Sequence, residues 1–247
     1  MAGHVQILMA ALAAAFAPSM LVAAPWHYEG AAGPAHWADL DPGFKACAIG
    51  TEQSPIDLAG RDVAAGADGM RIAWAPGAFK IVNNGHTIEA EAPAGSTVTL
   101  GGHAFMLEQF HFHLPSEHVT DGRHAAMEVH FVHKDAAGKV VVVAVMMKPG
   151  AANPLFHAVM AAAPATAGRP EHEVRLDPRG LLPKTRARYR YEGSLTTPPC
   201  SEVVDWQVLA TPVTVAAADI ERFHAIIGEN ARPVQPRGRR FVLKVPG

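Results

Sequence analysis

Hydrophobic and polar residues alternate strictly in two short stretches near the middle of the chain. The first is Gln109-Phe110-His111-Phe112-His113, the second Met127-Glu128-Val129-His130-Phe131-Val132-His133. A period of two marks a β-strand with one buried face. The second strand, beginning near Ala125, is placed to pair antiparallel with the first. Residues 139–147 form a continuous Val-rich run, as expected of a strand covered on both faces. The run Ile81-Val82-Asn83-Asn84-Gly85-His86-Thr87-Ile88-Glu89-Ala90 predicts strand, turn, strand, because Asn-Gly is a strong hairpin signal. Val203-Val204-Asp205-Trp206-Gln207-Val208 predicts a final core strand. Residues 153–163 and 216–227 carry helical spacing and are expected to be peripheral helices.

Composition fits a β-rich reading. The chain has 247 residues, enough for one large domain with its own core. Only 18% of residues are charged, and 22 Gly with 20 Pro imply many turns. A net charge of −2 gives no sign of a nucleic-acid partner. No repeat or low-complexity linker divides the sequence. The expected fold is mainly β (α+β): a single domain around a large, mostly antiparallel twisted sheet with short peripheral helices.

Residues 1–24 read as an address. The apolar stretch from Val5 onward, ending in Val22-Ala23-Ala24, has the form of a secretory signal peptide. The domain is then 25–247, with a periplasmic or secreted location and no membrane attachment after cleavage. Against this, no Lys or Arg precedes the stretch, and Pro25 would follow the cut. An uncleaved membrane anchor is the runner-up. Cys47 and Cys200 are two buried thiols in a reducing compartment or one long-range disulfide in an oxidising one.

The polar positions of the alternating strands carry the candidate chemistry. In a strand, residues i and i+2 share a face, so His111 and His113 point the same way with Cα atoms about 7 Å apart. A lone His-x-His among 14 histidines is more often solvated than ligating. Here Gln109 shares the face of His111 and His113, and Glu128 shares that of His130. Metal-bound imidazoles commonly donate their second N–H to such groups. Three neutral imidazoles and one open position describe a catalytic zinc site. Ile81 to Ala90 leaves His86 just past its turn, where a partly exposed imidazole suits proton transfer.

Gln109-Phe110-His111-Phe112-His113, Ser116-Glu117-His118 and Glu128-Val129-His130 resemble the zinc-binding core of the α-class carbonic anhydrases of bacterial, exported type. Four further segments are similar: Gln53-Ser54-Pro55-Ile56, Asn83-Asn84-Gly85-His86, Glu192 through Glu202, and Asn230-Ala231-Arg232-Pro233-Val234-Gln235. The similarity runs from about Trp26 to Arg239. Leu114-Pro115 departs from the Trp-Gly of many animal members and should end the first strand.

The resemblance implies a zinc lyase that hydrates carbon dioxide to bicarbonate. It implies zinc on His111, His113 and His130, with Gln109, Glu128 and the Asn230 carbonyl as their outer partners. Thr196, oriented by Glu117, would direct the attacking hydroxide, and Thr197 would contact bicarbonate. Val132, Val142, Leu195, Val204 and Trp206 would form the carbon dioxide pocket. His86 would shuttle protons, and Tyr28 would join the surrounding network. His118 and His133 are expected to be structural. A Cys47–Cys200 disulfide and cis peptide bonds at Ser54-Pro55 and Pro198-Pro199 are also implied. Competing readings are an acatalytic binding module of the same fold and a zinc esterase. A monomer and a homodimer both stay open.

Overall fold

The computed structural model describes residues 26–59, 62–168 and 172–247. The expected signal segment, residues 1–24, lies outside them. No helix among the described residues is long and apolar enough to cross a membrane.

The strands are β1 (Asp62–Ala64), β2 (Arg71–Ala73), β3 (Gly77–Asn83), β4 (Ile88–Glu91), β5 (Thr97–Leu100), β6 (His103–His113), β7 (Val119–Thr120), β8 (Arg123–His124), β9 (Met127–Lys134), β10 (Val140–Pro149), β11 (His172–Leu176), β12 (Arg188–Gly193), β13 (Val204–Val215) and β14 (Val242–Val245). The helices are α1 (Trp37–Leu40), α2 (Ala46–Ile49), α3 (Pro154–Ala162) and α4 (Ala217–Ile227). One 12-stranded sheet runs β1-β14-β12-β13-β10-β9-β6-β4-β3-β11, with β5 joining β6 to β2. The pairs β1/β14 and β10/β13 are parallel, and the other pairs are antiparallel. The expected sheet is therefore present. The strand expected at 203–208 is longer, however, and it is not the last, since β14 follows it.

β10 shows why the sheet has two cores. Val141, Val143, Val145 and Met147 enter one apolar cluster, while Val140, Val142 and Ala144 enter another on the opposite face. A parallel neighbour on one side and an antiparallel one on the other leave this strand no exposed face, hence its unbroken apolar run. α3 and α4 cover the larger cluster through Phe156, Val159, Met160 and Phe223. The Asn153 side chain starts α3 by accepting from the Leu155 and Phe156 N–H groups, as an N-cap should.

One irregularity sets the site. The β6/β9 register shifts between Leu107 and Gln109. Phe105 and Leu107 lie in the same core cluster as Phe110 and Phe112, which simple alternation forbids. The extra residue, Glu108, reverses the parity and lies outside the core in an ion pair with Lys134. Beyond that bulge, Gln109, His111 and His113 all face away from the larger core.

Candidate metal centre: three imidazoles beside an apolar wall

Strand register assembles the site row by row. Glu89 of β4, His111 of β6, His130 of β9, Ala144 of β10 and Val208 of β13 are successive partners across the sheet. The adjacent row is Glu91, Gln109, Val132, Val142 and Trp206. Residues directly opposite one another share a face. Both histidines and the apolar residues beside them therefore occupy one side, and His113 joins them two residues along β6.

Ring centroids are 5.0 Å apart for His111 and His113, 5.4 Å for His111 and His130, and 4.5 Å for His113 and His130. One nitrogen from each ring lies within 4.8 Å of the other two. The outer nitrogens are held. His111 Nδ1 is 2.8 Å from Gln109 Oε1, and His113 Nδ1 is 2.8 Å from the Asn230 carbonyl. Both partners are acceptors, so each Nδ1 carries the hydrogen and each Nε2 presents a lone pair inward. His113 Nε2 is buried and has no hydrogen-bond partner among the described residues. His130 Nε2 sits 3.0 Å from Glu128 Oε1, poorly aligned for a hydrogen bond, which leaves its Nδ1 on the inner side. Burial pushes the His111 pKa well down, with His113 and His130 adding to it. Burial likewise lowers that of His113. Three imidazoles whose inner nitrogens converge form the donor set that zinc takes.

The carboxylates beyond the rings are held by design of the same kind. Burial alone would raise the Glu128 pKa, but His118 and His130 outweigh it and hold the carboxyl well below the usual range. Both ring nitrogens of His118 have polar partners: Nδ1 lies 2.7 Å from Glu128 Oε1 and Nε2 2.6 Å from Tyr191 Oη. Glu117 Oε1 accepts the Arg232 backbone N–H at 2.8 Å. Glu117 Oε2 has no hydrogen-bond partner among the described residues, and so the expected Thr196–Glu117 hydrogen bond is not made. That oxygen lies 3.6 Å from His113 Nε2 and 3.9 Å from His130 Nδ1. Thr196 is buried, and Thr197 is partly buried, in the connection from β12 to β13.

All five residues expected in the substrate pocket meet in one cluster. Val142, Val204 and Trp206 are buried there, and Val132 and Leu195 pack against them. The connection carrying Thr196 and Thr197 is fastened from below. A Cys47–Cys200 disulfide ties it to α2. The Arg232 guanidinium donates to the Cys47 carbonyl, the Ser54 carbonyl and Gln53 Oε1. Ser54-Pro55 and Pro198-Pro199 are cis, as is Leu114-Pro115, which was not anticipated.

His86 is partly buried at the rim and stacks on Trp26, with centroids 3.8 Å apart and planes 8° from parallel. Its carbonyl accepts from Asn230 Nδ2, which also bonds the Phe112 carbonyl. One asparagine thus ties the rim hairpin to the ligand strand. Burial lowers the His86 pKa, and neighbouring His27 lowers it further. Tyr28 packs edge-on against Trp26 and Trp37; burial and then the Glu117 charge push its hydroxyl pKa up. Sequence reasoning missed the Arg232 clamp on Glu117, the Tyr191–His118–Glu128 chain and the Trp26 platform.

A sequence profile of the eukaryotic-type carbonic anhydrase family matches residues 32–246. A carbonic anhydrase from Pectobacterium atrosepticum is 40% identical over 235 residues, covering 94% of this chain and 96% of that protein. One from Klebsiella pneumoniae is 41% identical over 239 residues, covering 95% and 97%. The α-carbonic anhydrase of Thermovibrio ammonificans, solved with the inhibitor sulfanilamide, superposes with a TM-score of 0.87 at 43% identity, covering 90% of this chain and 99% of that one. The chain belongs to the eukaryotic-type, or α, carbonic anhydrase family.

Proposed function

We propose that this protein catalyses the reversible hydration of carbon dioxide to bicarbonate and a proton, with zinc at His111, His113 and His130. Family membership supports the hydration. The observation that carries the zinc reading is the convergence of three imidazoles whose other nitrogens face Gln109, Asn230 and Glu128. A zinc ion held there would supply Lewis acidity that makes hydroxide available near neutral pH, an effect for which carbonic anhydrase is the reference case.

The remaining work falls to the chain's own groups. Val132, Val142, Leu195, Val204 and Trp206 offer a dry surface to an uncharged, apolar substrate and keep it against the imidazoles. The Thr196 hydroxyl orients the attacking oxygen, and Thr197 contacts the bicarbonate that forms. Glu117, anchored through Oε1 by Arg232, keeps Oε2 free to accept the Thr196 hydrogen. That bond requires Oε2 to turn from the two imidazoles toward Thr196. His86 receives the proton that each hydration releases, in keeping with its place at the rim.

The location we propose is periplasmic or secreted, after removal of residues 1–24. A disulfide between Cys47 and Cys200 fits an oxidising compartment. The deciding experiment is stopped-flow carbon dioxide hydration by protein lacking residues 1–24, before and after zinc removal and readdition. Hydration that disappears with the metal and returns with it supports the proposal. One bound zinc per chain without hydration refutes it and favours a binding module.

A further inference from the structure

At the rim, three segments enclose an open cup of about 450 Å³. His27, Tyr28 and Glu29 come from the N-terminal arm, Gly85 and His86 from the hairpin between β3 and β4, and Ile227, Gly228 and Glu229 from the end of α4. Two imidazoles and two carboxylates thus share one solvent-facing space. The His27 and His86 ring centroids are 6.0 Å apart, with planes tilted by 49°. His27 is exposed and His86 partly buried. The Trp26 indole, stacked on His86, packs against the ring and offers it no hydrogen bond. His86 and His27 thus line one cup that opens to solvent.

We propose that His27 is a second proton carrier, passing protons between His86 and bulk buffer. This rests on the hydration reading and on His86 as the first carrier. The separation is too long for a direct hydrogen bond between the rings but is spanned by one water molecule. A proton on His86 moves to that water as the water gives another to His27; His27 then releases its proton to buffer. One proton leaves per turnover, and both rings return to the neutral form. A charged His27 lowers the proton affinity of His86, so a second proton does not load onto His86 until His27 has released the first to buffer. Glu29 and Glu229 line the same cup and favour a cation within it. Tyr28 stays neutral and takes no part in the charge balance.

The test is His27→Asn, which keeps a polar side chain but cannot carry a proton. The backbone bonds of residue 27, its carbonyl to Trp37 Nε1 among them, remain available to it. In weak buffer, maximal carbon dioxide hydration should fall severalfold, because His86 must then pass its proton to buffer without a positioned acceptor. kcat/KM should be unchanged, and added imidazole should restore the rate. Independently of activity, NMR titration of His86 in zinc-loaded protein should show its pKa moving up in the variant. An unchanged rate in weak buffer, a matching fall in kcat/KM, or a His86 pKa that does not move would each overturn the proposal. The parent and His86→Ala separate this from the underlying reading. A parent without hydration defeats the functional assignment, and a His86→Ala protein as fast as the parent defeats the first carrier. Failure of His27→Asn alone defeats only the relay.

Discussion

His133 couples the stability of the core to pH. It lies on β9 beyond the site, fully buried, with its ring stacked on Trp74 at 5.6 Å and 15°. Trp74 Nε1 can only donate, so His133 Nε2 accepts that bond at 3.0 Å, and Nδ1–H points at the Val141 carbonyl, 3.3 Å away. A second proton would set two donors against each other in an apolar cluster. Burial accordingly lowers the His133 pKa from 6.5 to about 4, although the backbone carbonyls of Val141 and Phe131 oppose it. In the unfolded chain the ring takes up a proton as pH falls through about 6.5, while the folded ring stays neutral until about 4. The contribution is therefore complete above the unfolded pKa and lost as pH drops, reaching about 3 kcal/mol near pH 4 and about 2 kcal/mol at pH 5. Urea unfolding of the parent and of His133→Gln at pH 7 and pH 5 isolates it, since titrations elsewhere cancel in the comparison. The parent should lose about 2 kcal/mol more than the variant between those values. Parallel losses in the two proteins would refute the reasoning.

His86→Ala should slow maximal hydration in weak buffer by at least tenfold, with rescue by imidazole, as expected for losing a positioned acid–base group; stopped-flow rates across buffer concentrations check this. Reducing the Cys47–Cys200 bond, which closes a sequence separation of 153 residues, should cost at most about 5 kcal/mol on the chain-entropy account. Urea midpoints with and without reductant measure that cost. Activity should fall before zinc is lost, because the bond braces the Thr196 connection and not the histidines. Asn230→Ala removes the side-chain bonds to the Leu114 N–H and to the His86 and Phe112 carbonyls, and should destabilise the protein by about 2 kcal/mol. Its zinc content should stay near one per chain, because the His113 contact is to the backbone carbonyl. Phe112→Ala should cost about 3–5 kcal/mol in urea, as expected for emptying a fully buried aromatic position.

Local pattern alone determined much of this protein. Alternation put His111 and His113 on one face, a Val-rich run marked the doubly covered β10, and Asn84-Gly85 marked the hairpin before His86. Each is decided within a few residues, where strand period and turn chemistry dominate. What lay beyond such windows was decided by tertiary structure. The partnership of His111 with His130 depends on the β6/β9 register, and the inward aim of the histidine face depends on the bulge at Glu108. The Asn230 carbonyl that holds His113 comes from 117 residues away, and the Arg232 N–H that anchors Glu117 from 115. The pairing of His27 with His86 likewise arises only when the N-terminal arm folds over the hairpin. The physical reason is the same throughout. A strand's periodicity states which side chains share a face, but the free energy that selects its neighbour and register comes from packing and hydrogen bonding between distant segments, which no local stretch of sequence contains.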